Sequence, residues 1–263
     1  MELWLRILFG IAALGYLSAG VCAALTRERR GVALKIFALA GFFAHTCALA
    51  AIIIGYSRAP FSNPFELAES ISWAIMALHI FASFALKMKI GEILVLFCNS
   101  ALAGLPVLCP KFMQEISAGG ASDFVGVLHA LLAVASFAAL AFSAALGGVY
   151  ILSRRLIKNK SNSGFARENP PLAMSARLGR GALFFAAALM AASLLAGIFA
   201  ASQTELPPRF ALKFCAGSAL FLMMLCLCFF SKKITELAAA KLCIALFIVS
   251  LLLLIPIEIG TRI

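Results

Sequence analysis

Eight long apolar segments constrain the fold of this chain more than any other feature of its sequence. Each approaches the roughly 20 residues that a helix needs to cross a hydrocarbon core of about 30 Å. The sequence is 63% hydrophobic and 13% charged, whereas soluble domains are about 45–50% apolar and about 25% charged. The sequence therefore predicts an all-α polytopic membrane protein forming a single integral membrane domain over residues 1–263. We place its eight transmembrane helices at about residues 3–25, 33–56, 67–86, 90–109, 124–152, 181–202, 210–230 and 238–259.

The basic residues predict how these spans are oriented. Of the 22 Lys and Arg residues, 16 fall in or beside the connections that follow the odd-numbered spans. Such connections are cytoplasmic by the positive-inside rule, so both termini are predicted to be extracytoplasmic. The net charge of +11 then mainly sets topology and does not indicate nucleic acid. We predict a multi-pass protein of a bacterial-type inner membrane, with a flexible cytoplasmic linker at about residues 154–180.

The hairpin between the second and third spans carries the most distinctive residues. His45 lies in the middle of an apolar span, where an ionisable side chain is costly and by default marks a functional site. The following loop contains Pro60, Ser62 and Asn63, residue types that fix or hydrogen-bond the backbone of a turn. Glu66 then falls in the first turn of the next helix, where a carboxylate suits the positive end of the helix dipole.

Three histidines are candidates for binding a cofactor. At a rise of about 1.5 Å per residue, His45 and His79 lie roughly 16 and 20 Å from the outer ends of their spans, and His129 about 9 Å. Imidazole is the usual protein ligand of haem iron, and the chain has no CxxCH motif for covalent haem. Simpler roles remain open, since His129 can bond a loop carbonyl and His79 can be a packed residue bonded to a serine such as Ser72 or Ser83.

Other chemistry is not indicated by the sequence. The eight cysteines form no CxxC pair, and most lie in apolar runs where cysteine behaves as a small hydrophobe. No nucleophilic triad, zinc-protease motif or phosphate-binding glycine loop occurs, so we predict that the protein is not an enzyme.

These residues together resemble a known family. His45 is followed by Gly55-Tyr56 and by Pro-Phe-Ser-Asn-Pro-Phe-Glu at residues 60–66, and Leu128-His129-Ala130 opens a later span rich in small residues. This order resembles the cytochrome c assembly family of haem-handling membrane proteins (CcsA/CcmC-like) over residues from about 33 to 259. The resemblance implies that His45 is an intramembrane ligand of the iron of b-type, non-covalent haem. It also implies that His129 is the first of two outer-face histidines. His79 matches no position of the family.

The chain also departs from that family. It lacks the Trp-rich segment expected between the sixth and seventh spans, and its two tryptophans, Trp4 and Trp73, lie elsewhere. The second outer-face histidine and the second intramembrane histidine are missing as well. The chain is therefore most similar to the shorter HemX/YpjD-type branch, for which haem export does not follow from the resemblance.

Three functions follow as hypotheses. The first is a haem-binding membrane protein of cytochrome c assembly or haem biogenesis, using His45, with His129 or His79 as a second ligand. Its partners would be haem, a membrane protein with an extracytoplasmic domain, and apocytochrome c. The second is a haem-free accessory or regulatory scaffold of the same family. The third is a small-solute transporter gated by the hairpin of residues 58–69.

Overall fold

The chain folds into α-helices throughout the part that the structure describes. A computed structural model describes residues 3–25, 32–56, 60, 64–85, 92–108, 124–160, 170–202, 208–231 and 233–260. The predicted all-α class is confirmed for these residues. They form eight helices: α1 (Leu3–Leu25), α2 (Val32–Tyr56), α3 (Pro64–Ala85), α4 (Glu92–Leu108), α5 (Phe124–Lys158), α6 (Leu172–Ser202), α7 (Pro208–Phe230) and α8 (Glu236–Gly260).

Six of these helices are long and apolar enough to cross a membrane, namely α1, α2, α3, α5, α6 and α8. Shorter apolar stretches occupy α4 at Val95–Leu108 and α7 at Phe214–Phe230. Large apolar side chains are exposed on every helix, as at Ile54 and Phe229. Exposed apolar surface of this extent indicates a lipid environment. The protein is therefore a helical, multi-pass membrane protein.

The helix ends follow from local sequence. Pro64 and Pro208 open α3 and α7, at a position where the missing N–H would have no helical partner. Thr235 caps α8, because its hydroxyl oxygen accepts a hydrogen bond from the Ala238 N–H at 3.3 Å. Lys160, with φ 50°, adopts the left-handed conformation that commonly ends a helix.

The predicted cytoplasmic linker is shorter than expected. α5 has 35 residues and ends at Lys158, and α6 begins at Leu172, so both helices run into the segment of residues 154–180. At about 1.5 Å per residue α5 is roughly 52 Å long, well beyond the hydrocarbon core. Arg155 and Lys158 lie in its last turn, where cations suit the negative end of the helix dipole. The sequence prediction took the first basic residues as the end of the helix, whereas the helix continues past them. Residues 161–169 lie outside the described residues.

The chain divides into two compact units. The first consists of Met1–Phe81 and Gly91–Ser122, and the second of Ala82–Ile90 and Asp123–Ile263. In the first unit α1 packs closely against α2 and α4. A Cβ atom placed on Gly15 of α1 would lie 2.7 Å from the Cα of Gly41 of α2. The two helices thus touch at glycines, as close membrane helices commonly do.

Polar side chains join α3 to the other helices of the first unit. The Ser72 hydroxyl donates to the Asn99 side-chain oxygen at 2.6 Å, and the Trp73 indole N–H donates to the Thr46 hydroxyl at 2.9 Å. Trp73 also stacks on Phe42 with ring centroids 5.6 Å apart. These contacts set the rotation of α3 about its own axis.

In the second unit α5 is the central helix and packs against α6 and α8. Buried serines of α5 bond carbonyls of α6: Ser136 donates to Ala186 and Ser143 to Gly179, each at 2.8 Å. Hydroxyl-to-carbonyl bonds of this kind hold membrane helices in register.

Candidate functional site

The three candidate histidines lie in different surroundings. His45 on α2 and His79 on α3 belong to the first unit, whereas His129 on α5 belongs to the second. Each is described here with the side chains of its own unit.

His45 is the centre of a buried polar group, the Tyr16–His45–Glu69 cluster, whose members come from α1, α2 and α3. The Tyr16 hydroxyl oxygen lies 3.3 Å from Nδ1 of His45, and Oε2 of Glu69 lies 3.2 Å from Nε2. Tyr16 and His45 are fully buried and Glu69 is 1% exposed. The ring of Phe9 meets the imidazole edge-on, with centroids 5.8 Å apart.

The two contacts of His45 differ in kind. Tyr16 and Nδ1 form a hydrogen bond. Nε2 and Oε2 lie within ion-pair distance, yet they are not aligned as a hydrogen bond, and neither atom has another hydrogen-bond partner among the described residues. Alignment matters because a hydrogen bond weakens steeply at small donor angles. The two atoms are therefore close neighbours that form no hydrogen bond in this arrangement.

These surroundings do not fit a haem iron at His45. An axial ligand needs a ring nitrogen whose lone pair faces the metal. Here Tyr16 occupies one nitrogen and Glu69 the other, and the ring has no exposed surface. In this structure both ring nitrogens of His45 face side chains of the protein itself.

His79 is buried in the C-terminal part of α3, with 6% of its surface exposed. Among the described residues no hydrogen bond, ion pair or ring contact to it is found. Ser72, the partner considered from the sequence, donates to Asn99 instead. Packing alone accounts for the position of His79.

His129 is partly exposed near the start of α5 and bonds the backbone of α6. Its Nδ1 lies 2.7 Å from the carbonyl oxygen of Ser193 and 3.1 Å from the Ser193 hydroxyl oxygen. Because a carbonyl can only accept, Nδ1 carries the hydrogen, and in the neutral ring the lone pair is on Nε2. The Ser193 hydroxyl in turn donates to the His129 carbonyl oxygen at 3.0 Å. The predicted carbonyl bond is present, although it reaches a helix rather than a loop.

Gly197 gives the His129 ring its place against α6. A Cβ atom at Gly197 would lie 3.0 Å from Nδ1 and 3.1 Å from Cε1 of His129, closer than side-chain carbons normally approach. Metal-binding histidines almost always give their second N–H to a carbonyl or carboxylate. His129 has this arrangement, and no described residue bonds its Nε2. The residues around His129 therefore fit an imidazole ligand of haem iron.

The loop motif is described in part. Pro60 is buried, and its carbonyl accepts a hydrogen bond from the Ser70 hydroxyl at 3.1 Å. Glu66 lies in the first turn of α3, as predicted, and is 1% exposed. Ser62 and Asn63 lie outside the described residues.

Sequence reasoning missed Tyr16 and Glu69 as members of a site. Glu69 had a recognisable signal, since it follows Glu66 by three residues and so shares its helix face. Tyr16 had none beyond being the only tyrosine in its span. Among the described residues no group of three or more His, Cys, Asp or Glu side chains is arranged to hold a metal ion.

No family model, curated protein or solved structure matches this chain. The likeness to the cytochrome c assembly family therefore depends on the residues quoted for it, above all His45, His129 and the loop of residues 60–66.

Proposed function

We propose that the protein is a non-enzymatic haem-handling membrane protein of cytochrome c assembly or haem biogenesis, and that it binds b-type haem non-covalently through His129. The observation that supports this proposal best is the bond from His129 Nδ1–H to the Ser193 carbonyl. That bond fixes the tautomer that leaves the Nε2 lone pair for a metal, and it also raises the basicity of the ring. When bound, haem would supply an iron centre whose axial position takes an imidazole.

The side chains around His129 contribute three things to this function. The Ser193 carbonyl and hydroxyl hold the ring at one angle. Gly197 leaves room for the ring beside α6. Partly exposed apolar side chains one turn away on the same face of α5, Val125 and Leu132, offer the kind of surface that a porphyrin prefers to water.

The topology belongs to the same proposal. Eight spans, with α4 and α7 included, and both termini extracytoplasmic would place the start of α5 near the outer face of a bacterial-type inner membrane. Haem held there would be passed to, or reported to, a membrane partner with an extracytoplasmic domain, and finally to apocytochrome c. The missing Trp-rich segment supports the need for such a partner.

Haem loading of the purified protein tests the ligand. We expect the wild-type protein in detergent to give a shifted Soret band and saturable binding. His129→Ala should remove that band or weaken binding by at least about tenfold, the minimum seen when even outer groups of a metal site are altered. His79→Ala is the matched control, because it also removes an imidazole. His79 is buried and makes no hydrogen bond or ion pair to a described residue. Haem binding that survives His129→Ala and is lost in His45→Ala would overturn the assignment of the ligand.

A haem-free accessory or regulatory scaffold is the second candidate function. It is favoured by the surroundings of His45, the histidine that the family would use inside the membrane. Side chains of the protein already lie beside both of its ring nitrogens. On this alternative the wild-type protein gives no saturable Soret band. Cross-linking in the native membrane should then still recover a protein partner.

A further inference from the structure

We propose that the Tyr16–His45–Glu69 cluster is a binding site for a single exchangeable proton inside the membrane, and that it takes a proton where the resemblance would place iron. The cluster belongs to the first unit and His129 to the second, so this inference does not depend on haem binding at His129.

The first step is the isolation of the cluster from other charges. Tyr16, His45 and Glu69 are each at most 1% exposed. Arg6 on α1, Lys35 on α2 and His79 on α3 each lie ten residues along the helix from the nearest member, which is about 15 Å. Glu66 alone is close, three residues before Glu69 on the same face of α3. The remaining titratable residues on the described helices of this unit are Cys22, Cys47, Tyr56, Glu92 and Cys98.

The second step is the charge that such a place allows. With one proton between them, His45 and Glu69 are either two neutral groups or a cation beside an anion, and both forms have zero net charge. Removing that proton leaves a lone buried anion, and adding another leaves a lone buried cation. An uncompensated charge in a helix bundle within the membrane costs several kcal/mol. The state with one proton between the two groups is therefore the one that avoids a lone buried charge.

Tyr16 is suited to both forms of the pair. Nε2 can take a proton from Oε2 of Glu69 only when the neutral ring carries its hydrogen on Nδ1, and the Tyr16 hydroxyl oxygen, 3.3 Å away, then accepts from Nδ1–H. After the transfer both ring nitrogens carry a hydrogen, and Tyr16 still accepts from Nδ1–H. The transfer also requires Nε2 and Oε2 to turn into alignment, since they are not aligned as a hydrogen bond.

The third step is a route for exchange. Glu66 is the next carboxyl group toward the start of α3, about 5–6 Å away between Cβ atoms for a three-residue spacing. It is also buried, at 1% exposed. Ser70, the residue after Glu69, donates to the Pro60 carbonyl at 3.1 Å, so Pro60 lies beside this part of α3. The geometry points to Glu66 as the group through which the cluster exchanges its proton with the Pro60 end of α3.

Spectroscopy of the unloaded protein tests this proposal. Because the chain has three histidines, the double variant His79→Gln/His129→Gln leaves His45 as the single imidazole for ¹⁵N NMR. Infrared spectra of the same protein report the carbonyl stretch of a protonated Glu69, assigned by its loss in Glu69→Gln. The NMR spectra give the fraction of His45 that is an imidazolium, and the infrared spectra give the fraction of Glu69 that is protonated. Between about pH 5 and 8, where a free imidazole titrates, we expect these two fractions to add up to one at every pH. In Glu69→Gln, His45 should be neutral throughout that range.

Two outcomes would overturn the proposal. One is independent titration, in which His45 and Glu69 together hold no proton or two protons within that range. The other is a Glu69 or His45 proton that never exchanges when the protein is moved into D₂O.

Glu66→Gln should slow that exchange and leave the proton count unchanged, and Glu92→Gln is its control on another helix. Should Glu69→Gln fail to fold, the ¹⁵N titration of the double variant alone still decides whether His45 behaves as a free imidazole. Haem plays no part in these readouts, so they are separate from the test of His129.

Discussion

His129 and Gly197 show how one missing side chain can place a functional ring. A Cβ atom on residue 197 would lie 3.0 Å from Nδ1 of the His129 ring, so the ring can pack this closely only against a glycine. The sequence contains Gly197 among many small residues of α6, and nothing in the pattern distinguishes it from glycines that merely pack. Only the pairing of α5 with α6 shows that this glycine faces a histidine.

Gly197→Ala should therefore weaken haem binding without removing the ligand. The added methyl must push the ring by a few tenths of an ångström, which lengthens the bond from Nδ1 to the Ser193 carbonyl. We expect a loss of about 10- to 100-fold in haem affinity, as for other changes in groups that orient a metal ligand. A haem titration followed at the Soret band measures it.

Gly181→Ala is the control for that variant. It makes the same substitution on the same helix, at a glycine where no atom lies within 4 Å of the new Cβ. Its affinity should match the wild-type value. Equal affinities for Gly197→Ala and the wild-type protein would show that the ring position is irrelevant to haem.

At the scale of helices, hydropathy located the elements well because burial in lipid requires about 20 apolar residues in a row. The bounds of α1 are those expected from the sequence, and those of α2 differ by one residue. Hydropathy fixes no rotation about the helix axis, however. Which residues of α3 face His45 depends on contacts such as Trp73 with Thr46, so Glu69 was not recognised from the sequence as a partner of His45.

Neighbouring glycines in α5 offer a direct test of helix packing in the second unit. A Cβ atom on Gly147 would lie 2.9 Å from the carbonyl oxygen of Ala240 in α8, whereas one on Gly148 would meet no atom within 4 Å. Gly147→Ala should destabilise the protein by about 1–3 kcal/mol, because it forces α5 and α8 apart. Gly148→Ala should be neutral or stabilise it by up to about 1 kcal/mol, through better helix propensity.

Denaturation in mixed detergent micelles, followed by circular dichroism, compares these two variants. They differ by one position in the chain and are chemically the same substitution. A loss of stability that is equal in both would show that α8 does not lie against Gly147.

At the scale of the whole molecule, the distribution of basic residues and the lengths of the apolar helices indicate different numbers of membrane crossings. Six helices satisfy the length and composition of a membrane span, and α4 and α7 are shorter in their apolar parts. The positive-inside distribution predicts eight crossings, because only then do the basic connections all fall on one side. Omitting α4 alone would place the connection after α3 and the connection after α4 on the same side.

Reporter fusions distinguish these topologies. With eight spans, alkaline phosphatase should be active when fused after residues 115, 205 and 263, and inactive after residues 88, 163 and 233. A cytoplasmic fluorescent reporter at the same six positions should give the opposite pattern, which controls for expression. If α4 does not cross, the fusions after residues 88 and 115 will report the same side. If α7 does not cross, the fusions after residues 205 and 233 will do so. The first result would reverse the side of His129 relative to the N-terminus, and with it the outer-face location proposed for haem, whereas the second would change only the side assigned to the C-terminus.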